Sequence, residues 1–337
     1  MTLVKTCGKL YWAGEYAILE PGQLALIKAI PIYMTAEITA SDGYRLYSDM
    51  FTYSVDLRPD SSYTLIQETV ALVEEYLTVQ GVKLQPFSLD IRGKMEREGK
   101  KFGLGSSGSV VVLVIKAMLA FYGRPVDREF LFKLASAVLL KRGDNGSMGD
   151  IACIVSEDLV LYQSFDREKV AHWLEKEDLQ PVLDRDWGFS IESVEPGLEF
   201  DFLVGWTKEV AVSSHMVKQI KNHMDASFLQ ASKETVANLV KALQTGHEEK
   251  VIEQLEQASL LLEVLSSDIY TPSLRQLKNA SRDLKAVAKS SGAGGGDCGI
   301  ALSFDQDSTT LLKKRWADLG IELLYQERMG HDDKSEG

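Results

Sequence analysis

The chain is short of the features that mark secreted, metal-bound or membrane proteins. It has three cysteines in 337 residues, Cys7, Cys153 and Cys298. They are far apart and form no Cys-x-x-Cys pair, which leaves neither a disulfide frame nor a thiolate zinc site. The longest apolar run, Val110 to Ile115, falls far below the roughly 20 residues that cross a bilayer. The opening "MTLVKTCGKLYW" has no basic segment followed by an apolar one and a small-residue cleavage site, so a cytoplasmic protein is expected. Positive charge is also scarce: 37 Lys and Arg stand against 49 Asp and Glu, a net charge of -12. A phosphate backbone needs a basic face, so nucleic acid is disfavoured as a partner. Of the five histidines, His172, His223, His247 and His331 show no zinc spacing. In so acidic a chain, local cations stand out: Lys5 with Lys9, Lys100 with Lys101, and Lys289, each beside a glycine-rich or loop-like stretch.

The length suits two packed domains. Alternation across Ile32, Met34, Ala36, Ile38 and Ala40 predicts a strand over Leu24 to Ala40. Three-and-four spacing from Tyr63 to Val79, stopped by Gly81, predicts an amphipathic helix. Phe87, Leu89 and Ile91 mark a second strand, and Ser106 to Tyr122 is apolar on all sides, the pattern of a buried helix. Asp127 is placed to cap a further helix to about Lys141. A short helix and the strand "LVLYQSF" follow the loop "GDNGSMGD". This mixed order predicts an α+β fold and not a doubly wound parallel sheet. The charged stretch from Glu175 to Gly188, with Pro181, marks a boundary, giving domains at 1–185 and 186–328 and a disordered tail at 329–337. New strands are expected at "WGFSIESV" and "DFLVGWT". Helices are then expected over Ser214–Leu229, Ser232–Leu243, Glu248–Leu265 and Pro272–Ala288, the last capped by Thr271. Two late strands, "CGIALSF" and "IELLYQ", flank a helix near Ser308 to Leu319.

Two glycine clusters carry the chemistry. In "KKFGLGSSGSVVVLVIKAML" the buried helix must satisfy its first amides, and water cannot reach them. Gly103, Gly105 and Gly108 let a ligand approach the backbone, and Ser106, Ser107 and Ser109 add hydroxyls beside the positive helix end. That is an anion site, and a phosphate chain is its natural occupant. The alternative is a flexible turn whose serines only cap the helix. The same letters fit G-x-G-x-x-G, but "REGKKF" is no apolar strand leading into the first glycine, so a dinucleotide site is disfavoured; no GxxxxGK[ST] occurs either. In "KSSGAGGGDCGIAL", four glycines lie within Gly292 to Gly296, an entropic cost too high for a mere connector. A tight turn presenting amides to a ligand between the domains explains them better.

Together with "GKLYWAGEYAIL" (Gly8 to Leu19), these loops resemble the three signature segments of the GHMP kinases. "KLYWAGEY", "KKFGLGSSGS", "GSMGDIA" and "GWTKEVAVSSHMV" are most similar to the phosphomevalonate kinase branch. The resemblance implies a two-domain GHMP kinase fold, with an N-terminal domain like domain 2 of ribosomal protein S5 and a ferredoxin-like C-terminal domain. ATP and phosphomevalonate would lie between them, with Mg²⁺ as cofactor, in a monomer or homodimer. It implies catalytic roles for Lys9 and Asp150; ATP contacts at Lys101, Gly103, Leu104, Gly105, Ser106, Ser107, Gly108 and Ser109; and Ser107 on Mg²⁺. Acceptor contacts are implied at Tyr16, Ser147, Ser213, Ser214, His215, Ala293, Gly294 and Gly295, and Lys208 is a further cation for the acceptor phosphate. Many relatives carry a second, glutamate metal ligand where this chain has Leu139. Asp150 as a plain helix cap, a sister kinase acting on mevalonate or another alcohol, and a non-catalytic GHMP-fold binding protein are the competing readings.

Overall fold

A computed structural model describes residues 1–330, except 126, 212–215, 217–219 and 221–222. The first half builds on a long strand pair. β1 (Thr2–Ala13) runs antiparallel along β2 (Leu24–Ala40), with Lys9 opposite Ala29. The other edge of β2 serves two partners, because 17 residues outrun either one. Its C-terminal half pairs with β5 (Phe87–Arg92), reached through β3 (Arg45–Ser48) and β4 (Ser54–Val55). A hairpin of β6 (Glu96–Arg97) and β7 (Lys100–Lys101) precedes the first glycine loop. The N-terminal half of β2 takes β8 (Leu159–Gln163), and β9 (Ser190–Ser193) closes this sheet.

Helices α1 (Thr64–Val79), α2 (Ser106–Phe121), α3 (Arg128–Lys141) and α4 (Gly149–Ser156) cover the sheet. The residues of α2 from Val111 to Ile115 are wholly buried, as its all-round apolar sequence requires. Asp127 caps α3 by accepting from Phe130 N at 2.9 Å. The charged stretch expected to mark the boundary, Glu175 to Gly188, holds the end of α5 (Arg167–Lys176) and the whole of α6 (Leu179–Asp184). Leu179, Val182 and Leu183 bury one face of α6, so a polar composition here marks a solvated helix. The strand expected to open the second domain, in "WGFSIESV", is β9 and belongs to the first sheet.

The second sheet has the order β11-β12-β10-β13 and is antiparallel throughout: β10 (Phe200–Trp206), β11 (Ala286–Ser290), β12 (Cys298–Ser303) and β13 (Glu322–Met329). With it pack α7 (Ala226–Gln244), α8 (Glu248–Leu265), α9 (Pro272–Asn279) and α10 (Gln306–Asp318). The break expected between Leu229 and Ser232 is absent: Asp225 caps α7, Ser232 is buried within it, and most of the earlier part of the helix expected from Ser214 lies outside the described residues. The helix expected to reach Ala288 ends at Asn279, and Ala286 to Ser290 is a strand. Trp12 packs on Phe200 and Phe202, with ring centroids 6.0 and 5.2 Å apart, so both sheets share one core. The mixed sheets and helices make the class α+β. The tail beyond Gly330 lies outside the described residues. Among the described residues, no helix is long and apolar enough to cross a membrane.

Candidate active site

Between the two sheets opens a cleft of about 610 Å³. Its floor is the first glycine loop, pinned to β1 where Lys9 N donates to Leu104 O at 2.9 Å. Gly105 stands at the N-cap of α2 with φ 81°, a left-handed conformation that glycine adopts without strain. A Cβ there would lie 2.8 Å from Lys9 Cε, and one at Gly108 would lie 2.6 Å from Asp150 Oδ2. These glycines therefore make room for Lys9 and Asp150, beyond the ligand approach expected of them. The Lys9 ammonium reaches Gly103 O at 3.4 Å and lies 5.4 Å from the Tyr11 ring centroid. Lys101, Leu104, Ser106 and an exposed Ser107 also line the cleft. Ser109 does not, because its hydroxyl donates to Cys7 O at 2.6 Å and fastens α2 to β1.

Asp150 is half-buried in the first turn of α4 and lines the cleft; Met148, not Asp150, occupies the cap position. Removal from water raises the Asp150 pKa, while the Lys9 charge and the Ile151 amide hold it down. No ion pair within bonding reach joins the two: Lys9 is turned to the loop carbonyl. Beside Asp150, Ser147 Oγ accepts from Gly149 N at 3.2 Å and lies 3.0 Å from the Tyr11 hydroxyl. Tyr162 OH donates to Ser147 O at 3.0 Å. Arg167 donates to the carbonyls of Asn145 and Gly146 and, at 2.6 Å, of Leu19, which steadies the loop that carries Ser147.

The opposite wall is the second glycine loop. Gly292 and Ala293 line the cleft, and Tyr16 OH donates to Ala293 O at 2.5 Å. Gly294 and Gly295 are not among the residues that line the cleft. Gly295 N is spent on Ile269 O at 2.9 Å, and a Cβ at Gly294 would lie 2.5 Å from Ile269. Below them Lys289 and Glu15 form an ion pair at 2.5 Å, 1% and 3% exposed, while Ser291 Oγ donates to Tyr11 O at 2.8 Å. These bonds tie the two halves together beside the cleft.

Sequence reasoning missed Tyr11, Glu15 and Asp297. Asp297 ends the second loop and lies against Gly103 of the first; its Oδ1 accepts from Ala211 N at 3.2 Å. Burial pushes its carboxyl up to about 6, against the pull of the Ala211 amide and of Lys9 and Lys101. An acid directly after "GGG" was the available signal. Ser213, Ser214 and His215 fall outside the described residues. Lys208 pairs with Glu322 at 3.4 Å and is not part of the cleft lining. Leu139 is 5% exposed in the core of α3 and can hold nothing.

Comparisons with known proteins match both halves of the chain to one family. A model of the GHMP kinases N terminal domain matches residues 64–157, and one of the GHMP kinases C terminal domain matches residues 239–322. A phosphomevalonate kinase of Streptomyces sp. (strain CL190) is 29% identical, with 93% of each chain covered. A solved structure of Streptococcus pneumoniae phosphomevalonate kinase in complex with phosphomevalonate and AMPPNP is 74% identical, with a TM-score of 0.97 over 98% of this chain and 100% of that one. Methanococcus jannaschii mevalonate kinase, 19% identical with a TM-score of 0.73 over 97% and 98% of the two chains, shares the fold.

Proposed function

The chain belongs to the GHMP kinases, and from that premise we propose that it transfers the terminal phosphoryl group of ATP to phosphomevalonate, making diphosphomevalonate in the mevalonate pathway. One observation carries the reading: the first turn of a buried helix, Lys9, Lys101 and Asp150 converge on one side of a cleft whose other side is the second glycine loop. Phosphoryl transfer needs alignment and positive charge around an oxygen-rich transition state. Here α2 and Ser106 hold the nucleotide phosphates at the helix N-terminus, and Lys9 and Lys101 supply cations to the phosphoryl group in flight. Tyr16, Ser147 and Ala293 face the acceptor.

The acceptor is itself a phosphomonoester, whose second pKa lies near 6, so most of it is already a dianion at pH 7. No proton has to be removed from it. Asp150 therefore acts through orientation, holding its place over Gly108 and facing Lys9 across the loop.

Among the described residues, no cluster of three His, Cys, Asp or Glu could hold a transition metal. An exposed hydroxyl at Ser107 beside the nucleotide site suits Mg²⁺, a hard cation that keeps several waters and leans on phosphate oxygens. When bound with ATP, that ion neutralises charge on the bridging phosphates. We divide the domains between Ser193, the end of the first sheet, and Phe200, the start of the second, and place the protein in the cytoplasm.

The test is ADP release from Mg-ATP with mevalonate, phosphomevalonate and diphosphomevalonate in parallel. Phosphomevalonate alone should support turnover. Turnover of mevalonate in its place would overturn the reading.

A further inference from the structure

We propose that Tyr11 is a positioning residue that makes the Ser147 hydroxyl a one-way donor to an anionic oxygen of the acceptor. The inference rests on the reading that an anionic acceptor occupies this cleft, and it follows from counting protons. Ser147 Oγ has two lone pairs and one hydrogen. Gly149 N–H takes one lone pair at 3.2 Å. The contact with the Tyr11 hydroxyl at 3.0 Å can run either way.

If Ser147 donated, the Tyr11 proton would need an acceptor of its own. Among the described residues the Tyr11 hydroxyl makes no other hydrogen bond; Tyr11 borders the cleft too, but it is 9% exposed and its hydroxyl is packed against Gly149, where a Cβ would lie 2.4 Å away. A buried O–H without an acceptor carries its full desolvation cost. If Tyr11 donates, both lone pairs of Ser147 are filled and every buried donor is satisfied. The Ser147 hydrogen then has one place left to go, the cleft that Ser147 lines. Burial and the Asp150 charge both push the Tyr11 pKa up, so the phenol keeps the proton that it donates. Close packing keeps the pair in register: a Cβ at Gly149 would lie 2.4 Å from the Tyr11 hydroxyl. A hydroxyl with no lone pair to spare favours an anionic oxygen, which only accepts, over an alcohol, which must also place a proton.

The test is a double-mutant cycle of Tyr11→Phe and Ser147→Ala, with KM measured for phosphomevalonate and for ATP. Phe retains the ring beside Lys9, and both changes are small enough to keep the fold, which thermal melts would check. Tyr11→Phe should raise the phosphomevalonate KM about 3- to 10-fold and leave the ATP KM within about twofold. Ser147→Ala should cost more. In the Ser147→Ala background the Tyr11 change should add nothing, because Tyr11 acts through Ser147. A wild-type phosphomevalonate KM in Tyr11→Phe, or full additivity in the double variant, would overturn the proposal. If the wild type phosphorylates a different acceptor, the function reading falls separately, and the same cycle is read on that acceptor's KM, where additivity would again be decisive.

Discussion

The loop from Gly103 to Gly108 and the loop from Gly292 to Gly296 look alike as strings, yet they spend their glycines differently. In the first, the space a side chain would fill is taken by Asp297, Lys9 and Asp150, at Gly103, Gly105 and Gly108 in turn. Gly103, Gly105 and the first residues of α2 line the cleft. In the second, Gly294 is pressed on Ile269 and the Gly295 amide is bonded to the Ile269 carbonyl. One loop is threaded by charged side chains. The other is a tight turn whose packing places Ala293 against Tyr16. Glycine content alone does not separate these roles; what fills the missing Cβ position does.

Gly105→Val breaks the comparison most severely. The new side chain meets Lys9 at a left-handed backbone position, so it displaces both a cation and the loop amides. Preorganised charge of this kind is worth about 10²- to 10³-fold per group. Turnover should fall by at least about 10³-fold and nucleotide binding should vanish in a calorimetric titration, with the helical circular-dichroism signal intact. Normal titration would mean that the loop does not hold ATP.

Next comes the strand beneath the second loop. Lys289→Met leaves Glu15 charged, 3% exposed and without its partner. Breaking one side of a buried pair costs about 3–5 kcal/mol, a Tm loss on the order of 10 °C for a chain of this size. Adding Glu15→Gln should recover part of that loss. No recovery would show that Lys289 acts through its bond to Ser290 O and not through the pair.

A smaller effect separates the loops directly. Gly294→Ala forces a contact with Ile269 at φ 72°, which costs about 1–3 kcal/mol. Thermal stability should drop while ATP affinity stays within about twofold. A large loss of ATP affinity would mean that the second loop also cradles the nucleotide.

These contrasts mark where local sequence stops informing. The buried helix α2 was legible because its whole circumference is apolar, and α3 because Asp127 and Gly143 punctuate it. Strand β11 was not, since all five of its residues are buried and no alternation remains. The charge of Lys289 argued further against a core strand, and the Glu15 that neutralises it is 274 positions away. Lys9, Asp150 and the first loop could be singled out from motif and context. Tyr11 and Asp297 could not, because their meaning lies in what they touch: Tyr11 in the Ser147 hydroxyl, Asp297 in Gly103 of the other loop.

Asp297, where the two loops meet, yields the smallest effect and the one most specific to pH. Its carboxyl rises from the usual 3.8 to about 6, mainly through burial. The native state thus holds this proton more tightly than the unfolded chain does. For an acid raised in this way, the stabilising contribution is complete below about pH 4 and is lost as pH climbs through 6. Above pH 6 the folded protein carries a poorly solvated charge, at a cost of at most about 3 kcal/mol before solvent at this half-buried site screens it. Asp297→Asn removes the charge and keeps an oxygen that can accept from Ala211 N. The Tm of the variant minus that of the wild type should therefore be more positive at pH 8 than at pH 4.5, by about 1–3 °C, with the change falling between about pH 4 and pH 6 and levelling off above it. A difference that is flat with pH would mean that Lys9 and Lys101 offset the cost of burial in full. A difference of opposite slope would make Asp297 a stabilising counter-ion for those lysines, and the contact between the loops would then be held by charge and not by packing.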